Sequence, residues 1–93
     1  MVVSISSVAS GLFGSGKHVC VHAQVASVKS GYDGLIEIKL GSSPALFVDV
    51  FPMYQKAGVS IPTPGQTVTV HGTVRWDANH ADWELLPVDW IGP

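Results

Sequence analysis

The amino-acid sequence predicts an all-β domain, a closed five-stranded barrel with a short helix or loop between its third and fourth strands. Short runs of valine, threonine and aromatic residues alternate with polar residues, which is typical of antiparallel strands. Clusters of Gly, Pro, Ser and Asp separate these runs, and helix signals are weak. A chain of 93 residues has room for one compact core, so we expect a single domain.

The predicted strands are His18–Val28, Leu35–Leu40, Ala45–Phe51, Thr67–Trp76 and Trp83–Ile91. The first and fourth share the form V-x-V-H-small-x-V, as VCVHAQV and VTVHGTV. This form indicates two long strands that bend where Ala23 and Gly72 remove a Cβ clash, and we expect these strands to pair. Pro87 cannot donate to a strand ladder, so it is predicted at a bulge or an edge. Pro52 and Gly58 frame the short helix or loop.

The first 16 residues are interpreted as a flexible lead-in to a barrel domain of residues 17–93. They lack the basic start of a secretory signal, and no apolar run reaches the roughly 20 residues that span a bilayer. The net charge of −2 argues against salt-driven binding to duplex DNA. A single cysteine, Cys20, excludes an internal disulfide and a Cys-based zinc site. We expect a cytoplasmic protein with no membrane association.

Three motifs carry a resemblance to a known fold family. They are GKHVCVHAQVASV, then LIEIKL followed by ALFVDVF, and PGQTVTVHGTV, which leads into the fourth strand. Together they resemble the OB-fold nucleic-acid-binding superfamily, and the last is similar to anticodon-binding, single-strand-binding and helicase-type OB domains. The resemblance covers nearly the whole chain from Ile5 onward. It implies a five-stranded OB-fold barrel that binds single-stranded DNA, RNA, oligosaccharides or other proteins.

The segment WDANHADWELLPVDWI carries all three tryptophans, and we expect two of them in the core. Its potential metal ligands are Asp77, His80, Asp82 and Glu84. Strand alternation accounts for these residues without a ligand, so we predict no metal and no cofactor. The segment is also similar to the W-x-D-x-x-H-x-x-W-x-E-I-H-P-V ending of a group of uncharacterised bacterial OB-like domains. Leu86 stands where that pattern has its second histidine.

The candidate binding site lies on the predicted outer face of the second and third strands. In OB folds, bases stack on aromatic side chains of this face. The residues expected to stack bases are Tyr32, Phe47 and Phe51, and those expected to contact phosphates are Lys29, Lys39 and Arg75. An inverted register, in which Phe47 and Phe51 fill the barrel, is equally compatible with the sequence.

These residues favour a module that binds single-stranded DNA or RNA without strong sequence preference. The alternative is a protein-interaction or assembly module with no nucleic-acid binding, whose partner is another protein or a second copy of the chain. The low charge of the sequence favours this alternative. The sequence contains no Ser-His-Asp spacing, paired carboxylate motif or glycine-rich phosphate loop, so we do not expect an enzyme.

Overall fold

The computed structural model describes residues 2–31, 34–51 and 58–93. The elements in these residues are β1 (Val2–Val3), α1 (Ile5–Ala9), β2 (His18–Ser30), β3 (Ile36–Gly41), β4 (Ala45–Val50), β5 (Thr67–Asp77) and β6 (Asp82–Gly92). Strands β2 to β6 match the five predicted strands, and their ends differ from the prediction by at most two residues. None of the helices in the described parts of the chain has the length and apolar character needed to cross a bilayer.

Strands β2 to β6 close into the predicted five-stranded barrel. The long β2 pairs with β3 through its second half and with β5 through its first half, antiparallel in both cases. Strands β3 and β4 are antiparallel, β5 and β6 are antiparallel, and β4 runs parallel to β6. This strand order is that of an OB-like barrel. The predicted pairing of the two long strands is confirmed, with Val19 opposite Gly72 and Ala23 opposite Val68.

The barrel interior is filled by aliphatic side chains from one face of each strand. On β4, Leu46, Val48 and Val50 are buried, whereas the half-buried Phe47 lies on the opposite face. The inverted register is therefore wrong for Phe47. Phe51 follows the end of β4 and is half-buried. Of the predicted helix or loop between β4 and β5, residues 52–57 lie outside the described residues, and residues 58–66 form a loop.

A bulge bends β6 against β5. Register shifts on both sides of Gly72 place Pro87 in this bulge, which confirms the position predicted for the proline. A Cβ atom on Gly72 would lie 3.2 Å from the carbonyl oxygen of Pro87, so the two strands approach closely because residue 72 has no side chain. In β2 the irregularity lies between Val25 and Ser27 rather than at Ala23.

Residues 2–9 are folded on the barrel, whereas the sequence predicts a flexible lead-in for them. Strand β1 runs parallel to the start of β2. The side chain of Ser4 caps α1, because its Oγ accepts a hydrogen bond from the Ser7 N–H at 3.1 Å. Val8 is fully buried in the core, and Ile5 packs against the same cluster. Ser4 is therefore a helix-capping residue, and Ser6 and Ser7 belong to the helix.

Candidate functional site

Four strands place Lys39, Phe47, Glu84 and Arg75 side by side across the outer face of the barrel. Lys39 lies opposite Phe47 across β3 and β4, and Phe47 lies opposite Glu84 across β4 and β6. Glu84 in turn lies opposite Arg75 across β6 and β5. We call these four residues the Phe47 row. The structure thus brings together three of the six predicted site residues and adds one carboxyl group.

The other predicted site residues lie beside this row or beyond it. Lys29 is exposed on β2 and lies opposite Glu37 of β3, so its charge has a carboxylate as a neighbour. Phe51 lies one residue beyond β4. Tyr32 is outside the described residues. A stacking contribution from Phe51 or Tyr32 therefore stays a prediction.

A shallow cavity of about 150 Å³ opens beside Phe47. Its lining residues are Glu37, Phe47, Asp77, His80, Asp82 and Glu84. Apart from Phe47, each of these side chains is titratable, and four of them are acidic. The cavity therefore combines one apolar aromatic wall with a rim that carries negative charge.

Glu84 is the buried charged group of this site, with only 4% of its surface exposed. Its burial, a hydrogen bond with Asp49 and the negative charge of Asp49 raise the pKa of Glu84 to about 8. The Nε atom of Arg75 lies 3.8 Å from Oε1 of Glu84 and opposes this rise. At neutral pH Glu84 is therefore protonated, and the Arg75 guanidinium lies beside a neutral carboxyl group.

At the turn between β5 and β6, the exposed His80 pairs with the half-buried Asp77 at the end of β5. Nδ1 of His80 lies 2.7 Å from Oδ2 of Asp77, and this hydrogen bond raises the pKa of His80 and lowers the pKa of Asp77. Partial burial, together with the charge of Asp77, raises the pKa of Asp82. Over the described ranges, no three His, Cys, Asp or Glu side chains are arranged to hold a metal ion. The absence of metal binding at this turn stays a prediction.

A second row crosses β1, β2, β5 and β6 and contains no Asp, Glu, Lys or Arg side chain. Val2 lies opposite Cys20, Cys20 opposite His71, and His71 opposite Trp90. The ring centroids of His71 and Trp90 are 6.4 Å apart. We call these four residues the Trp90 row. It is a separate part of the outer surface, bordered by His18, whose ring lies 6.3 Å from that of His71 and is hydrogen-bonded to Asp89.

Trp90 is 44% exposed and rests on two glycines. A Cβ atom on Gly58 would lie 2.8 Å from Cε3 of the indole, and a Cβ atom on Gly92 would lie 3.0 Å from its Nε1. Trp76 is 43% exposed and packs edge-on against Trp83, which alone among the three tryptophans packs against the core. The expectation of two core tryptophans is wrong because aliphatic side chains already fill the barrel.

The contact between Glu84 and Asp49 was not predicted from the sequence. Strand alternation places both side chains on outer faces. It was taken to account for the acidic residues of the hairpin without a ligand. The missing signal is topological, because an OB-like barrel runs its third strand beside its fifth. The outward residues of β4 then lie beside those of β6, and Phe47 lies opposite Glu84 near the start of β6.

The fold and its two rows define a small OB-like β-barrel that presents one charged aromatic surface and one uncharged aromatic surface. Comparison with protein-family models finds no matching family, and comparison with curated proteins finds no match. The fold class therefore rests on the barrel itself, and function has to be argued from the two rows.

Proposed function

We propose that the protein is a member of the OB-fold nucleic-acid-binding superfamily and binds single-stranded nucleic acid through the Phe47 row. The observation that supports this function is the row itself, in which a half-buried aromatic ring lies between the cations Lys39 and Arg75. A base that stacks on an aromatic side chain contributes about 1–3 kcal/mol whatever its identity. We therefore expect binding without strong sequence preference.

The carboxylates around the row limit the electrostatic part of this binding. Lys29 lies opposite Glu37, and the cavity beside Phe47 has an acidic rim. Within the described residues, the cations predicted to contact phosphates are Lys29, Lys39 and Arg75, and each contact contributes about 0.7 to the logarithmic salt slope for a single strand. The slope should therefore be no steeper than about −2, and stacking should supply most of the affinity.

The experiment is a titration of the protein with short labelled oligonucleotides of several base compositions, at about 50 mM and about 200 mM salt. We expect similar affinities for the different compositions and a weak salt dependence. Phe47→Ala should weaken binding by roughly fivefold to a hundredfold, which corresponds to one lost stacking contact. Trp90→Ala removes an aromatic side chain outside the row and is the matched control. Failure to bind any oligonucleotide at the lower salt concentration would rule out this function.

The Trp90 row supports a second candidate, a protein-interaction module that forms a homo-oligomer. Val2 and Trp90 are 58% and 44% exposed, and the row contains no Asp, Glu, Lys or Arg side chain. Protein interfaces are enriched in tryptophan and depleted in charge at their centres. Analytical ultracentrifugation over a range of concentrations tests this candidate. Self-association should be lost in Trp90→Ala and kept in Trp76→Ala, whose tryptophan is equally exposed. A monomer at every concentration would contradict it.

A further inference from the structure

The barrel is closed at one place by a short parallel pairing. Within the described residues, β4 and β6 pair through Phe47 with Glu84 and through Val48 with Leu85. By contrast, β2 and β5 pair continuously from His18 to Gln24. We call the short pairing the β4–β6 seam. Its in-register pairing is short, so side chains that bridge it help to keep the barrel closed.

The carboxyl groups of Asp49 and Glu84 bridge this seam. Oδ1 of Asp49 is buried, and among the described residues no N–H group and no Ser, Thr or Tyr hydroxyl group donates to it. Glu84 is almost fully buried and is hydrogen-bonded to Asp49. A buried acceptor without a donor is costly, and so are two buried negative charges in contact. A single proton on Glu84 removes both costs, because its O–H donates to the Asp49 carboxylate.

We propose that Glu84 and Asp49 form a proton-held latch across the β4–β6 seam, which makes the closure of the barrel and the charge beneath Phe47 depend on pH. With the proton present, the two strands are joined by a carboxyl–carboxylate hydrogen bond. When the proton leaves, two negative charges face each other across the seam and the hydrogen bond is lost. The seam then loosens, and the Phe47 row gains a negative charge.

Other charged groups surround the latch on every side. They are Glu37 and Lys39 on β3, Arg75 and Asp77 on β5, Asp82 on β6 and His80 in the turn. Arg75 lies beside Glu84, but more than half of its side chain is exposed, so water screens its attraction. Asp77 adds to the negative field at Glu84. The surrounding charges therefore do not replace the shared proton.

The latch also regulates the proposed function, and this part of the inference rests on nucleic-acid binding at the Phe47 row. An ionised Glu84 attracts the Arg75 guanidinium and repels a phosphate. Since the pKa of Glu84 is raised to about 8, the affinity for an oligonucleotide should fall as the pH rises through that value.

The latch itself is tested without any ligand, by NMR titration of the side-chain carboxyl groups and by amide hydrogen exchange of β4 and β6. In the wild-type protein, Glu84 should titrate far above its ordinary range, and the seam amides should exchange faster above that pH after correction for the intrinsic rate. Glu84→Gln mimics the protonated group, so its seam amides should keep their protection. Asp49→Asn removes the neighbouring charge and should return the Glu84 titration toward its ordinary value.

Two results would overturn the latch. One is a Glu84 titration in the ordinary range, and the other is a Glu84 pKa that does not move in Asp49→Asn, because burial alone would then account for it. Oligonucleotide titrations at pH 7 and pH 9 are the second arm. Wild-type affinity should fall by roughly threefold or more, and the affinity of Glu84→Gln should fall less, because only the wild type gains the charge of Glu84 between the two pH values. Absence of binding at both pH values would reject the proposed function and leave the NMR result to decide the latch.

Discussion

The two rows on the outer surface of the barrel are built on the same strand alternation but have opposite character. The Phe47 row places an aromatic ring among lysine, arginine and a buried carboxyl group. The Trp90 row places an exposed indole beside histidine, cysteine and valine. Residues of β5 and β6 take part in both rows, so the difference does not come from separate elements.

The difference shows that register, more than composition, decides what each surface can bind. Arg75 and His71 lie on the same face of β5, four residues apart, and each meets a different neighbour on β6. Arg75 faces Glu84, and His71 faces Trp90. The bulge around Gly72 separates the two pairings, so one strand contributes a cation to one surface and an imidazole to the other.

The largest expected effect comes from the interior that both rows share. Leu85 is fully buried and pairs with Val48 at the β4–β6 seam. Leu85→Ala should lower the free energy of unfolding by about 2–5 kcal/mol, because it leaves a cavity under both rows. Chemical denaturation measures this change. A loss below about 1 kcal/mol would mean that the seam is not packed as described.

The next effect is the pH dependence of stability that Glu84 gives to the Phe47 row. The pKa of Glu84 is raised from 4.5 to about 8, so the folded state keeps a proton that the unfolded chain has already lost. Wild-type stability should therefore fall as the pH rises from about 4.5 to about 8. Glu84→Gln should be more stable than wild type at pH 9 by about 1–3 kcal/mol and equal to it at pH 4. Denaturant melts at the two pH values are the measurement, and parallel pH profiles would contradict the buried proton.

A loss of affinity of similar size tests the proposal that single-stranded nucleic acid binds at the Phe47 row. Phe47→Ala should reduce single-strand affinity by about 1–3 kcal/mol, whereas Trp90→Ala should leave it unchanged. Thermal melts come first, because Phe47 is half-buried and its removal should cost less than the roughly 3–5 kcal/mol typical of a core phenylalanine. The opposite pattern in the titrations, with Trp90 required and Phe47 dispensable, would move the ligand to the uncharged surface.

A smaller effect tests the cations of the Phe47 row. Lys39→Ala should change affinity little at high salt and flatten the logarithmic salt slope by about 0.7, which is one phosphate contact on a single strand. Lys39→Arg keeps the positive charge at this position and is the matched control, so its salt slope should stay that of the wild type. Equal slopes for Lys39→Ala and the wild type would remove Lys39 from the contact surface.

The smallest expected effect is none at all. The turn between β5 and β6 should bind zinc, calcium and manganese more weakly than about micromolar, because its histidine is already bonded to Asp77 and Leu86 supplies no ligand. Isothermal calorimetry measures the binding. Stoichiometric tight binding that disappears in His80→Ala would show that the acidic cavity is a metal site.

Much of the fold follows from the sequence because period-two alternation is explicit in it. Val19, Val21 and Val25 predict the inner face of β2, and all three are buried. The pairing of the two long strands follows from their shared motif. The N-terminal helix was missed because a five-residue helix with one buried residue has almost no periodicity to detect.

The candidate site was less predictable, since its chemistry depends on long-range pairing. Lys39, Phe47 and Arg75 could be chosen by residue type and face. Glu84 could not be chosen in this way, because its burial results from the parallel pairing of β4 and β6, two strands that are far apart in sequence. The position of Trp90 was likewise not predictable, because its indole packs against Gly58 and Gly92, and no sequence pattern links these residues.

The double pairing of β2 has a consequence for how the chain is made. Its second half pairs with β3, the next strand in sequence, but its first half has to wait for β5, where Gln24 meets Thr67. During synthesis, β2, β3 and β4 can assemble as a meander while the first half of β2 and the free edge of β4 stay open. Open edges pair readily with other chains. Translation that stops before β5 should therefore yield a fragment that aggregates. Pairing with β5 and β6 covers the open edges of β2 and β4 and so prevents this aggregation.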